Sequence, residues 1–331
     1  MVGLGAVGAR AARQAHSVFP GSEIVVVTGR PERGSQVLAA LGTRARLAQW
    51  EEALAGSPDA VILCGRDQAE RGAEASASGA HVVSTSGATG DVEALLALDR
   101  DVRGRGRTVV VGAAFSPGLS CVLARHGARK SGDPHEVRVA AIGAGGPACA
   151  ADERRGCGRP GREWDAAAGG WVEVGPGSGR ELCWFPEPVS ARDCYRGEFS
   201  EAVLLHDAFP AAGRISARRA ASRVELALGR LPAPFAEVGR LLARRPRVSG
   251  PDKEGEIGAV RVDVAGAAGA EVLGAIDRPA VAAGTVAALA ARWAVDGRFA
   301  PGASGLAGLV TDTPAFLGQL AERGIRAATL G

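Results

Sequence analysis

Residues 1–14 read MVGLGAVGARAARQ, and the spacing of the glycines predicts the fold of the first part of the chain. In a dinucleotide-binding unit with the pattern G-x-G-x-x-G, the first glycine turns the chain out of a strand. The second lets a diphosphate approach the backbone, and the third lets the next helix pack on the strand. The N-terminus of that helix offers free N–H groups to the anion. We therefore expect a dinucleotide site in residues 3–8, which are Gly3, Leu4, Gly5, Ala6, Val7 and Gly8.

Strand-like and helix-like segments alternate through the first 125 residues. Apolar, β-branched runs occupy residues 24–28, 59–64, 81–87 and 108–115, and helical segments lie between them. This alternation predicts an α/β fold with a doubly wound parallel sheet of the Rossmann type. Only Met1 and Val2 precede the glycine loop, whereas strands usually have about five or six residues. We expect either that the natural start lies upstream or that a shortened first strand leaves backbone groups unpaired.

The pattern changes after residue 125. Residues 136–146 suit a strand, whereas residues 145–179 are rich in glycine, proline and charge and show little periodicity. Alternation at residues 214–228 and 258–276 predicts antiparallel strands with one solvent-facing side. Residues 231–251 suit a helix and a surface loop. We predict domains at residues 1–125 (dinucleotide binding), 126–276 (α+β, with a largely antiparallel sheet) and 277–331 (C-terminal helices).

Composition limits the classes of function. The 331 residues are 46% hydrophobic and 23% charged, as in ordinary globular proteins. The net charge of +3 comes from scattered arginines, which does not favour a nucleic-acid partner, and no apolar run reaches the roughly 20 residues that span a membrane. The six cysteines show no C-x-x-C pair and no zinc-ligand spacing. We expect free thiols, no metal site and a cytoplasmic location.

The end of the second strand indicates which nicotinamide nucleotide is bound. An NAD site usually offers an acidic residue to the ribose hydroxyls at this point, whereas arginine accommodates the 2′-phosphate of NADP. The chain has Thr28 and Arg30 here. NADP is therefore the predicted cofactor, and NAD stays possible because Arg30 can also be an ordinary solvated arginine. Cys64 ends another strand at the same edge of the sheet, where a small side chain suits contact with the nucleotide.

Residues 110–126, VVGAAFSPGLSCVLARH, combine a strand, an aromatic-Ser-Pro-Gly turn and a new helix. With residues 59–87 and 277–310, this stretch resembles the saccharopine dehydrogenase-like family of reductases. The resemblance implies hydride transfer between a nicotinamide and a C=N or C=O bond, or the reverse reaction on a secondary amine. It also implies that Pro117 and Gly118 lie beside the nicotinamide, that the C-terminal helix packs on the cofactor domain, and that the chain forms a homodimer.

Residues 179–198 concentrate aromatic and charged residues of the kinds found in substrate pockets. A carboxylate substrate suits the planar guanidinium of an arginine such as Arg192, and Tyr195 or Asp193 can relay a proton. We predict that these three residues are catalytic and that the substrate is a small amino or oxo acid. The alternative for the same segment is a surface loop that covers the second domain.

Two other functions fit the same sequence. The short first strand and the lack of an obvious acid/base pair suit a non-catalytic protein that binds a nucleotide or a protein partner. An enzyme of the homoserine dehydrogenase or dihydrodipicolinate reductase type shares the fold, but it needs a lysine in the substrate domain, and the chain has only Lys130 and Lys253.

Overall fold

Helices and strands alternate along the N-terminal part of the chain. The structure is a computed structural model that describes residues 1–65, 68–222, 226 and 257–330. The strands here are short and apolar, because helices cover both faces of their sheet. The elements are α1 (Ala6–Val18), β1 (Ile24–Val26), α2 (Pro31–Leu41), β2 (Ala45–Leu47), α3 (Trp50–Ala55), β3 (Ala60–Leu63), α4 (Gln68–Ala77), β4 (His81–Ser84), α5 (Thr89–Leu96), α6 (Asp99–Gly104) and β5 (Thr108–Val111).

Val2 connects the parallel strands into one layer. β1 pairs with β2, and β3, β4 and β5 pair in that order, all in parallel. Val2 bridges Val27 on one side and Leu63 on the other. Its N–H donates to the carbonyl of Ile62 at 2.9 Å, and the carbonyl of Met1 accepts from the N–H of Val27 at 2.8 Å. The two residues before the glycine loop are therefore hydrogen-bonded to both neighbouring strands, and the unpaired groups expected from a short strand are not found on them.

The second unit is built on a larger mixed sheet. Its strands run in the order β9–β10–β11–β6–β12–β13–β15, with β7 beside β11 and β8 beside β7. All pairs are antiparallel except β11 with β6. Its elements are α7 (Leu119–Ser131), β6 (Pro134–Ile142), α8 (Pro147–Cys157), β7 (Gly161–Asp165), β8 (Gly170–Val174), β9 (Glu181–Trp184), β10 (Ala191–Tyr195), α9 (Glu201–Ala208), β11 (Arg214–Ala220), β12 (Gly258–Gly266) and β13 (Gly269–Asp277); β15 (Ala327–Thr329) comes from the C-terminal end.

The C-terminal segment packs against the first unit. α10 (Pro279–Val295) lies against α1, where the missing side chain of Gly284 allows a close approach: a Cβ there would lie 2.6 Å from the backbone nitrogen of Ala11. β14 (Gly302–Gly305) extends the first sheet by pairing in parallel with β5. Two further helices, α11 (Leu306–Leu309) and α12 (Thr313–Ala321), complete the segment. The predicted fold class, a doubly wound parallel sheet beside an α+β unit with a largely antiparallel sheet, is confirmed.

Several local predictions need correction. Residues 145–179 contain α8, β7 and β8, although alanines, glycines and arginines hide their periodicity. β11 runs parallel to β6 and is buried on both faces after its exposed first residue, because Arg218 and Arg219 are paired with glutamates rather than facing solvent. The helical segment predicted between the strand-like runs at residues 81–87 and 108–115 is divided into α5 and α6, and the sequence does not predict β2 and α3. The helix and loop expected at residues 231–251 lie outside the described residues.

Candidate active site

The glycine loop has the backbone geometry that its spacing predicts. Gly3 has φ of +86°, and a Cβ on it would lie 2.9 Å from the backbone nitrogen of Gly65. A Cβ on Gly8 would lie 1.8 Å from the carbonyl oxygen of Gly3, so this helix can pack on the loop only with glycine there. A Cβ on Gly5 would meet no atom within 4 Å, because Gly5 faces open space. The two outer glycines are thus required by packing, and the middle one keeps a space free.

The loop fits the diphosphate of a dinucleotide. Gly5 is the N-cap of α1, no side chain caps this helix end, and Gly5 and Ala6 are exposed. The first N–H groups of a helix have no partner within the helix, and the helix dipole favours an anion at this end. Leu4 and Val7 are buried and anchor the loop in the core. Residues 3–8 therefore leave a bare, anion-favouring helix end beside an empty volume.

The residues predicted to select the nucleotide lie at the same edge. Thr28 and Arg30 follow β1, Arg30 is exposed, and its backbone N–H donates to Oγ1 of Thr28 at 3.1 Å. No side-chain partner of Arg30 is found among the described residues, so its guanidinium is free to meet an anion. Cys64 follows β3 next to the loop, and burial raises the pKa of its thiol to about 12. Cys64 is therefore a neutral packing residue at this edge.

The Pro-Gly turn is buried beside the loop that follows β4. The Ser116–Pro117 peptide is cis, and Gly118 has φ of +127° with Ala114 so close that a Cβ would lie 2.2 Å from its carbonyl oxygen. Pro117 and Gly118 are both buried, and Pro117 packs against Gly87 and Gly112. The turn thus joins the carboxyl ends of β4 and β5 and leads into α7. Pro117 and Gly118 are thus packed into this turn, and their position beside the nicotinamide stays a prediction.

A buried ion pair lies next to this turn. Arg219 on β11 and Glu201 on α9 are 5% and 1% exposed and form a salt bridge. Oγ of Ser116 donates to Oε1 of Glu201 at 2.6 Å, and Arg219 donates to the carbonyl of Ser116 at 3.2 Å. Nε of Arg219 and Oε2 of Glu201 have no hydrogen-bond partner among the described residues. A buried donor and a buried acceptor therefore remain available here.

The helix α8 extends from the glycine loop to this ion pair. Immediately before α8, a Cβ on Gly145 would lie 2.8 Å from Cγ2 of Val7, and one on Gly146 would lie 3.1 Å from Cβ of Ala6. Glu153, farther along α8, interacts electrostatically with Arg219 and Glu201. Desolvation by burial raises the pKa of Glu153 to about 7, and the neighbouring Arg219 partly offsets that rise. The helix α8 thus brings an ionisable carboxyl near the buried ion pair.

The structure does not bring the three predicted catalytic residues together. Tyr195 is buried on the same side of the sheet as Arg219, its neighbour across the β10–β11 pair, and packs with Cys157 and Phe199. Asp193 forms a salt bridge with Arg180 at 3.0 Å. Arg192 is exposed, lies on the opposite face of the strand and donates to the carbonyl of Ala191. Of the three, only Tyr195 lies next to the ion pair.

The sequence reasoning missed Glu153, Glu201 and Arg219. Arg219 stands in an alternating arginine-rich segment that looks solvated, and the two glutamates stand among many others. Ser116 could be predicted from the sequence, because it belongs to the Pro-Gly turn. In the described part of the chain no group of three or more His, Cys, Asp or Glu is arranged to hold a metal ion, and no described helix is both long and apolar enough to cross a membrane.

The parallel sheet and the glycine loop define a Rossmann-type α/β unit, and the second, mixed sheet forms an α+β unit beside it. No protein-family profile matches the sequence, and no curated protein matches it. Among solved structures, the chain is similar in fold to apo saccharopine dehydrogenase (L-Glu forming) from Saccharomyces cerevisiae, with a TM-score of 0.66, 14% identity and coverage of 100% of this chain and 99% of the other. It also matches amine dehydrogenase from Mycobacterium smegmatis, with a TM-score of 0.50, 14% identity and coverage of 93% and 95%. The resemblance to the saccharopine dehydrogenase fold is confirmed.

Proposed function

We propose that the protein is an NADP-dependent oxidoreductase that transfers hydride to or from a C=N or C=O bond of a small, carboxylate-bearing amino or imino acid. The observation that carries this proposal is the glycine loop, with its bare helix end and the open space in front of Gly5. The ion pair of Glu201 and Arg219 contacts Ser116, which belongs to the Pro-Gly turn at the same edge of the sheet. A hydride donor and a polar substrate site then meet at the junction of the two units.

The polar groups beside the Pro-Gly turn suit a substrate that carries a carboxylate. Arg219 is held in place by Glu201 and the carbonyl of Ser116, and its Nε is the buried donor without a partner. An ionised acceptor makes a strong hydrogen bond to a guanidinium, and a buried donor left unpaired costs free energy. The unpaired Nε donor of Arg219 therefore favours an anionic group at this junction.

The function is tested by mixing the purified protein with NADPH or NADH and measuring binding by nucleotide fluorescence and turnover by absorbance. The substrates are pyruvate and 2-oxoglutarate, each alone and with ammonia or an amino acid. We expect binding of a nicotinamide nucleotide and its oxidation with at least one oxo acid and amine. Binding without turnover across a broad panel supports the non-catalytic alternative, and absence of nucleotide binding contradicts the proposal.

The substitution Arg30→Glu tests the preference for NADP. We expect it to weaken NADPH binding by roughly 10- to 100-fold, because a hydrogen bond between charged groups contributes about 1.5–3 kcal/mol. Binding of NADH stays the same or improves, since NADH lacks the 2′-phosphate. Titration of both nucleotides by calorimetry measures the change. The control is Arg100→Glu, an exposed arginine on α6. Equal effects of Arg30→Glu on the two nucleotides would refute the proposed 2′-phosphate contact.

A further inference from the structure

One face of α8 runs from the glycine loop toward the buried ion pair. Cys149, Glu153 and Cys157 are spaced by four residues and share that face. Cys149 packs against the first core and lies close enough to Cys64 to affect its pKa, whereas Cys157 packs with Tyr195 under the second sheet. The helical rise of about 1.5 Å per residue places Glu153 about 10 Å from Gly146, which touches the glycine loop.

This separation matches the chemistry of a bound dinucleotide. A ribose lies between the diphosphate and the nicotinamide ring, so the hydride-donating carbon is one sugar and part of a ring away from the glycine loop. A carboxyl two helical turns along α8 is therefore positioned near the reacting end of the nucleotide. The predicted Tyr195 is engaged in packing, and the predicted Asp193 is engaged in a salt bridge.

The Glu153 carboxyl is available for chemistry. It is half-buried, and it makes no hydrogen bond or ion pair with the residues that the structure describes. The charged groups that face it are Arg219 from β11, Glu201 from α9, and Arg154 and Asp152 from α8. Burial and the carboxylate of Glu201 favour its neutral form, and Arg219 favours its charged form. A carboxyl whose neutral and charged forms are both favoured by its neighbours exchanges protons near neutral pH, which suits a general acid or base.

We propose that Glu153 is the catalytic acid that protonates the substrate during hydride transfer, and that Glu201 and Arg219 are positioning residues that hold the substrate beside it. This inference rests on the proposed function. The nicotinamide nucleotide, when bound, supplies the hydride and is oxidised. As the new C–H bond forms, the π bond of the substrate breaks and its electron pair moves to nitrogen or oxygen. The O–H bond of Glu153 breaks to give that atom its proton, and solvent then reprotonates the carboxylate.

The kinetic test compares Glu153→Gln with Asp152→Asn, an exposed neighbour on α8 that pairs with Arg155. In the wild type we expect the rate of substrate reduction by NADPH to fall as the pH rises through about 7, because only protonated Glu153 can donate. Glu153→Gln is expected to lower kcat by roughly 100- to 10,000-fold and to remove this inflection, while NADPH affinity is unchanged. Asp152→Asn should keep the wild-type kcat and the inflection, moved only slightly to lower pH, because the Asp152 carboxylate is the smallest of the influences on the pKa of Glu153. An unchanged pH profile in Glu153→Gln overturns the inference and leaves the proposed function intact.

A second measurement needs no substrate. Carbon-13 NMR of glutamate carboxyls, recorded as a function of pH for the wild type and for Glu153→Gln, identifies the Glu153 signal by its loss. We expect that carboxyl to titrate near pH 7. A Glu153 carboxyl that titrates at its ordinary value near 4.5 overturns the inference even if no substrate has been found. Failure of the wild type to bind NADPH instead overturns the proposed function, so the two failures are distinguishable.

Discussion

Gly5→Val is expected to abolish dinucleotide binding while the protein stays folded. Gly5 has extended backbone angles, φ −73° and ψ −169°, which valine readily adopts, and its Cβ would enter open space. That space is where the diphosphate must approach the N–H groups of α1, so the valine side chain displaces the ligand rather than the protein. We expect NADPH affinity to fall by roughly 100-fold or more, about 3 kcal/mol. The free energy of unfolding should fall by no more than about 1 kcal/mol, the scale of a changed N-cap.

Two matched substitutions make this result specific. Gly104→Val places the same side chain at an exposed helix end where a Cβ meets no atom, and it should leave both binding and stability nearly unchanged. Gly8→Val should destabilise the fold, because its Cβ would overlap the carbonyl oxygen of Gly3. Calorimetric titration with NADPH and denaturant unfolding measure the two effects. Normal NADPH affinity in Gly5→Val would contradict the assignment of residues 3–8 as the diphosphate site.

Glu201→Leu is expected to destabilise the protein by about 3–5 kcal/mol, because it leaves Arg219 as a buried charge without its partner. This is a large part of the roughly 5–15 kcal/mol that separates the folded and unfolded states of a typical domain. Both side chains are almost completely buried, so water cannot replace the lost carboxylate. The double variant Glu201→Leu with Arg219→Met should recover more than half of the lost stability, since it removes both charges together. Denaturant unfolding of the wild type, Glu201→Leu, Arg219→Met and the double variant gives the coupling free energy.

An exposed ion pair serves as the control for this double-mutant cycle. Glu23 pairs with Arg46 at 2.7 Å, and both side chains are at least 40% exposed. Glu23→Leu should change the free energy of unfolding by less than about 1 kcal/mol, as is usual for surface pairs. If Glu201→Leu lowered the free energy of unfolding no more than Glu23→Leu does, water would reach the ion pair. Glu201 and Arg219 would then not be desolvated polar groups at this junction.

Much of the fold follows from local sequence patterns. The parallel strands are apolar on both faces, and the glycine spacing marks the turn into α1, so the first unit is readable from residue types alone. The second unit is harder to read. Arg218 and Arg219 on β11 look solvated in the sequence, but they are buried against Glu181 and Glu201 from other elements. Patterns of hydrophobicity cannot show such pairing, because each partner is distant along the chain.

The candidate site can also be predicted only in part from the sequence. The nucleotide residues could be predicted because their requirement is local: a glycine with no room for a side chain, and a helix that begins at once. Glu153 could not be predicted, because its altered pKa depends on burial and on charges brought by β11 and α9. The hydroxyl of Tyr195 suits proton transfer, but the fold packs this residue against Cys157 and Phe199. The sequence does not show which groups from separate strands and helices come together in space.

The most direct measurement is a crystal structure of the protein grown with excess NADPH. The account predicts diphosphate oxygens within hydrogen-bond distance of backbone N–H groups in residues 5–8, the 2′-phosphate beside Arg30, and the nicotinamide ring in the cleft between the Pro-Gly turn and α8, facing Glu153. A groove in front of Gly5 that stays empty at saturating NADPH, or a nucleotide bound elsewhere, would contradict it.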